Sequence, residues 1–194
     1  MITPGRPESA VHWARAFIQP ALKNGSKVVD ATAGNGNDTL FLAVNTGDEG
    51  IVYAFDIQEE ALEETGKKIT EAGLSSKVKL ILGGHEDMER YVPISLDAVM
   101  FNLGYLPGSN KKVITKPETT LKGIKASLKL LKPGGRVSIV VYTGHPGSIE
   151  ESAEVSKELA AISEKEFSVQ KMIFWNSRKE SPQIYFVTKS GEII

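Results

Sequence analysis

The feature that most constrains this chain is a strand that breaks into a glycine turn and restarts as a helix. Lys27-Val28-Val29-Asp30 is a short apolar run, Ala31 to Asn37 contains Gly34 and Gly36, and helical spacing begins near Asp38 and continues to Val44. Such a unit opens a βαβ crossover, and its glycines let the backbone turn off the strand end and approach a ligand. The alternation then repeats. Strands are expected over 51–55, 78–82, 96–102 and 136–142, and helices over 59–73, 87–91, 117–131 and 148–164. Two last strands, 167–175 and 183–188, are separated only by a polar loop. The pattern predicts an α/β fold: a mostly parallel seven-stranded sheet, covered on both faces and ending in an antiparallel hairpin. An N-terminal helix is expected over about 9–23, bent or ended near Pro20. No repeat or linker divides residues 1–194, which read as one domain.

Composition narrows the chemistry. The chain has no cysteine, so it offers no thiolate nucleophile and no Cys-ligated zinc or iron–sulfur cluster. This also excludes methylation of a pyrimidine carbon through a thiolate adduct and favours a nitrogen or oxygen acceptor. No metal is required. The N-terminal residues lack an apolar signal region and no stretch approaches a membrane span, so a cytoplasmic protein with no membrane partner is expected.

The turn at 30–39 reads as a nucleotide site. Gly34 and Gly36 supply the turn, Asn35 lies between them, and Asn37 or Asp38 can cap the helix that follows. Position 39 is Thr, where a dinucleotide fingerprint has Gly or Ala. Asp56 falls 20 residues after Gly36, at the end of the second strand, where a carboxylate accepts from ribose hydroxyls. Asp30 would repel a pyrophosphate but could accept from an ammonium group. A ribose and a cationic amine fit S-adenosylmethionine better than NAD. His85 and Glu86, after the third strand, could reach an adenine edge; a solvated turn explains them equally well.

Acceptor chemistry is expected at the ends of the fourth and fifth strands. Asn102-Leu103-Gly104-Tyr105-Leu106-Pro107-Gly108 resembles the Asn-Pro-Pro-Tyr loop of amino-group methyltransferases, keeping Asn and Tyr at their spacing and losing both prolines. Tyr142-Thr143-Gly144-His145-Pro146-Gly147 ends the fifth strand on the same sheet edge, and His145 there could face substrate or take a proton. The net charge of −1 hides an uneven distribution: residues 98–136 carry eight Lys and Arg against Glu118 alone. Lys111 and Lys112 follow the acceptor loop, where phosphates flanking an extruded base would sit, and Arg178 and Lys179 extend that surface.

Taken as a set, residues 30–39, 102–108 and 142–147 resemble the bacterial rRNA methylase family, and the similarity runs from His12 to the terminal hairpin. One departure is Pro146, where the family pattern has Gly after His. The resemblance implies a class I, Rossmann-like S-adenosylmethionine-dependent methyltransferase, with the cofactor near Asp30, Asn35, Asn37, Asp38, Asp56, Gln58, His85 and Glu86. It further implies N-methylation of the 5-aminomethyl group of a wobble uridine, with the tRNA anticodon stem-loop as partner and a homodimer left open.

In that reaction Asn102 would orient the amine, Tyr105 would stack on the uracil, Tyr142 would line the acceptor side, and His145 or a water would take the proton. Three rivals are weighed: the same fold acting on rRNA or a small molecule, a nicotinamide oxidoreductase, and a non-catalytic RNA-binding module. The oxidoreductase needs a Tyr-x-x-x-Lys pair, found only as Tyr185 and Lys189 in a predicted strand, where the side chains stand roughly 13 Å apart.

Overall fold

The computed structural model describes residues 9–92, 95–104, 116–143, 147–177 and 181–191. Its centre is a seven-stranded sheet in the order β3-β2-β1-β4-β5-β7-β6, built from β1 (Lys27–Asp30), β2 (Ile51–Asp56), β3 (Val78–Leu82), β4 (Leu96–Leu103), β5 (Leu131–Val141), β6 (Phe167–Met172) and β7 (Gln183–Lys189). The first five strands are mutually parallel. β7 runs antiparallel between β5 and β6, so the sequence-predicted hairpin is present, with its second strand inserted against the parallel sheet.

Helices α1 (Ala10–Ile18), α2 (Asn37–Asn45), α3 (Glu59–Glu71), α4 (Pro117–Leu130) and α5 (Ser148–Ala160) cover the two faces. One core gathers Phe55, Phe101, Ile124, Ile139 and Leu159. The other packs Ile18, Leu42, Met100, Val140 and Ile184, with Trp13, Phe17 and Phe174 against it. Burying a large apolar side chain is worth about 1.5–3 kcal/mol, so the two cores are the main source of stability.

The helix end expected near Pro20 is present, and two strand boundaries differ from expectation for local reasons. α1 begins where the Ser9 hydroxyl accepts from the His12 N–H, and it stops at Ile18 because Pro20 forces a short 3-10 turn over Gln19–Ala21. β5 starts at Leu131 rather than 136: Leu131 pairs with Leu96, Arg136 with Ala98, and the residues between, including Gly134 and Gly135, form an irregularity. β6 ends at Met172, which leaves Trp175 beyond the strand instead of at its end. Among the described residues no helix is long and apolar enough to cross a membrane.

Candidate functional site

β1 has β2 on one side and β4 on the other, so helices leave the two halves of the sheet toward opposite faces and a crevice opens at the strand ends. A cleft of about 490 Å³ lies there, within the range of small-molecule sites. Its walls come from the β1 turn (Gly34, Asn35, Asn37, Asp38), the end of β2 (Asp56, Gln58), the segment after β3 (His85, Glu86), the end of β4 (Asn102, Gly104), the start of α4 (Lys116, Thr119) and Tyr142.

Gly36 makes the turn possible. It adopts φ +72° as the residue preceding α2, and a Cβ there would stand 2.9 Å from the Thr65 backbone. Thr65 Oγ1 donates to the Gly34 carbonyl at 3.0 Å, so α3 pins the turn. Lys68, also on α3, donates to the Asn35 carbonyl and to Asn37 Oδ1. Asp56 accepts from the Gly34 N–H at 2.9 Å and the Gln58 N–H at 3.0 Å, one bond on each oxygen. Each oxygen keeps a lone pair for a further donor.

Asp30 does not line the cleft. It is 1% exposed, and its oxygens accept from the Thr32 N–H at 3.1 Å and the Thr39 hydroxyl at 2.6 Å. Burial, then the nearby Asp38 carboxylate, push its pKa up to about 7, against the pull of those two donors. Asp30, expected to accept from an ammonium group, here has both oxygens engaged within the turn, behind Thr32 and Thr39. Gly36 likewise acts through the backbone turn and is not part of the cleft wall.

Asp38 does line it. Arg15 of α1 places Nε and Nη2 each 2.7 Å from Asp38 Oδ1, and Asn102 Nδ2 lies 3.5 Å from Oδ2. A carboxylate only accepts, so the end of the Asn102 side chain facing it must be the NH₂. Asn102 is also tied through its backbone N–H to the Thr32 hydroxyl at 2.8 Å. Among the described residues its buried Oδ1 has no hydrogen-bond partner, an arrangement that costs free energy unless a ligand donates to it.

His85 is 7% exposed, with Nδ1 3.1 Å from the Ala31 carbonyl and its ring edge-on to Phe101. Burial lowers its pKa, so the ring is neutral. A carbonyl cannot donate, so Nδ1 carries the proton and Nε2, buried and without a partner among the described residues, is left as an acceptor. Burial, with Asp38 nearby, raises the pKa of Tyr142, which keeps its phenol protonated.

The structure thus brings Asn35, Asn37, Asp38, Asp56, Gln58, His85, Glu86, Asn102 and Tyr142 to one cleft. Tyr105, Lys111, Lys112, His145, Arg178 and Lys179 lie outside the described residues. Sequence reading overlooked Arg15, Lys116 and Thr119. Lys116 and Thr119 had a signal in the basic segment and in the helix start at Pro117; Arg15 had none, since nothing local pairs a helix residue with a carboxylate 23 positions on.

The family model described as "Putative rRNA methylase" matches residues 52–188. A chloroplastic tRNA (mnm(5)s(2)U34)-methyltransferase of Arabidopsis thaliana is 44% identical over 154 residues, covering 74% of this chain and 56% of that protein. The chain spans about half the length of the curated relatives it matches. A Clostridium thermocellum protein whose description matches the family's superposes with a TM-score of 0.92 at 38% identity, covering 95% of this chain and 100% of that one. A Streptococcus mutans protein solved in complex with SAH does so at 0.85 and 37%, covering 97% and 99%.

Proposed function

Since the chain belongs to the rRNA methylase family, we propose that it moves a methyl group from S-adenosylmethionine to a nitrogen, and that this nitrogen is the 5-aminomethyl group of the tRNA wobble uridine. The observation that carries the choice of nitrogen is the Asn102 carboxamide. Its NH₂ is turned to Asp38, so it offers a buried acceptor, Oδ1, to whatever binds beside it. An amine has N–H donors for that oxygen. A hydroxyl has one as well, but only an amine is also drawn, as a cation, to the Asp38 carboxylate beside that amide.

The cofactor fits what the cleft presents. Asp56 has lone pairs free for ribose hydroxyls, His85 Nε2 is an orphaned acceptor of the kind an adenine amino group satisfies, and the Gly34 turn lets the backbone approach closely. When bound, the group supplies an electrophilic methyl on a sulfonium.

The protein's part is orientation and proton control. An alkylammonium has no lone pair, so the amine must lose a proton first. Asp38, anchored by Arg15, attracts the ammonium form, and Asn102 Oδ1 then accepts from the neutral amine and directs its lone pair. Tyr142 stays a phenol and adds a donor, not an anion. Tyr105 and His145, from the sequence, are our candidates for stacking on the uracil and for accepting the proton. The reading is supported by the Arabidopsis thaliana relative named for this uridine position.

Mass spectrometry of tRNA nucleosides after incubation with the cofactor tests it. Methylation of tRNA bearing the aminomethyl group, and none of tRNA lacking it, is the expected result. Equal methylation of both would sink the wobble-uridine assignment.

A further inference from the structure

Trp175 is 89% exposed, more than any other large apolar side chain among the described residues. Indoles are normally among the most buried side chains, so one held in solvent needs a reason. It is not on a loose end. Phe174 beside it packs into the core with Met172 and Ile184, the Ser177 N–H donates to the Phe174 carbonyl at 3.1 Å, and the Thr143 hydroxyl donates to the Ser181 carbonyl at 3.4 Å.

Its place in the sheet is the second observation. One row of paired residues runs Asn102, Val140, Ile184, Met172. Three strand spacings put Met172 about 14 Å from Asn102 along that row. β6 runs antiparallel to β7, which runs antiparallel to β5, so β6 points the same way as β4. The chain therefore leaves β6 toward Trp175 on the side where β4 delivers Asn102. Lys116, exposed at the cleft wall, adds a cation to that side.

We propose that Trp175 is a stacking platform for an unpaired nucleobase of the RNA substrate, next to the nucleotide being modified; this rests on the tRNA reading above. An exposed aromatic plane near a cation is the recurrent means of holding a splayed base, and it tolerates any base because every base has a π-face. A second copy of the chain is a poor occupant. Ile173 and Trp175 are followed by polar Asn176 and Ser177, so the exposed apolar surface of this turn is two side chains, where a stable interface takes about 20–30 residues a side.

The chain has two tryptophans, Trp13 and Trp175, so Trp13→Phe isolates the fluorescence of Trp175. Adding tRNA to that variant should quench the emission, and Trp175→Phe should lose the quenching. In steady-state assays Trp175→Ala should raise KM for tRNA about tenfold or more, leave kcat within about twofold, and leave cofactor binding unchanged; Trp175→Phe should restore most of the KM. A KM for Trp175→Ala equal to wild type, with no quenching by tRNA, overturns the platform. Quenching that follows protein concentration instead of RNA overturns it too and assigns the residue to self-association. Wild-type turnover separates the layers: a wild type that methylates no tRNA sinks the proposed activity, while the titration still decides the stacking.

Discussion

Asn102 Nδ2 and Asp38 Oδ2 face each other at 3.5 Å, across 64 residues of sequence. The contact fixes which end of the amide meets the acceptor. Asn102→Ala should lower kcat by about 10²–10³, the scale seen when one preorganised polar group is removed, while calorimetry shows cofactor affinity unchanged. Asp38→Asn lets the amide face either way and should lower kcat by about tenfold or more. Unchanged turnover in both variants would remove the pair from the mechanism.

Arg15 holds the other oxygen of Asp38. Its side chain is 31% exposed against 9% for Asp38, so solvent screens part of the pair. Arg15→Ala should cost about 1–2 kcal/mol of stability, less than breaking a fully buried pair. Arg15→Lys keeps the charge but loses the fork and should fall between. Thermal unfolding reads the stability, and kcat should drop in parallel with loss of Asp38 anchoring.

Two glycines with nearly equal φ separate strain from clash. Gly36, at +72°, has the Thr65 backbone 2.9 Å from a built Cβ, whereas Gly134, at +74°, has nothing within 4 Å. Gly134→Ala should cost about 1–2 kcal/mol, the left-handed penalty alone. Gly36→Ala should cost about 2–4 kcal/mol and weaken cofactor binding, because the α3 contact must give way. Denaturant midpoints of the two variants make the comparison.

Asp30 makes stability depend on pH in a stated direction. Its folded pKa of about 7 lies above the ordinary carboxylate value, so between roughly pH 4 and 7 the folded state binds more protons than the unfolded state. Stability should fall as pH rises through that window and level off above it. Asp30→Asn removes the titration and keeps groups able to bond to Thr32 and Thr39. Relative to wild type, it should gain on the order of a few kcal/mol at pH 8 over its standing at pH 5. Parallel pH profiles of wild type and variant would expose the prediction as wrong.

Gly123 lets α4 approach His85: an added Cβ would stand 2.4 Å from His85 Cδ2 and 3.3 Å from a Phe101 ring carbon. Gly123→Ala gains helix propensity but displaces the imidazole. Cofactor affinity should fall severalfold, as read by calorimetry, and Tm should drop as well, since overpacking a buried ring costs about 1–3 kcal/mol.

The alternation of apolar runs with helical spacing was enough to read the strands, the terminal hairpin and the sheet end on which ligands gather, since period and turn chemistry are local. The residues meeting in the cleft were legible where a strand end delivers them, as with Asp56 and Asn102. The burial of Asp30 was not legible, because sequence shows a carboxylate near glycines but not the Thr39 hydroxyl that α2 folds over it. Arg15 stayed hidden because its partner comes from packing α1 beside α2. Trp175 looked like a strand residue until β6 ended three positions earlier.

The insertion of β7 between β5 and β6 has a consequence for how the molecule is made. β5 is complete by Val141, yet the strand that pairs its outer edge arrives only with Gln183–Lys189, and β6 has no place in the sheet before then. A chain emerging from the ribosome therefore carries an open β5 edge through about forty residues of synthesis, joined near the end by an unpaired β6, a window in which edge-to-edge association competes with closure. Closure falls to β7, and with it the Trp175 turn is fixed on the sheet end where β4 delivers Asn102.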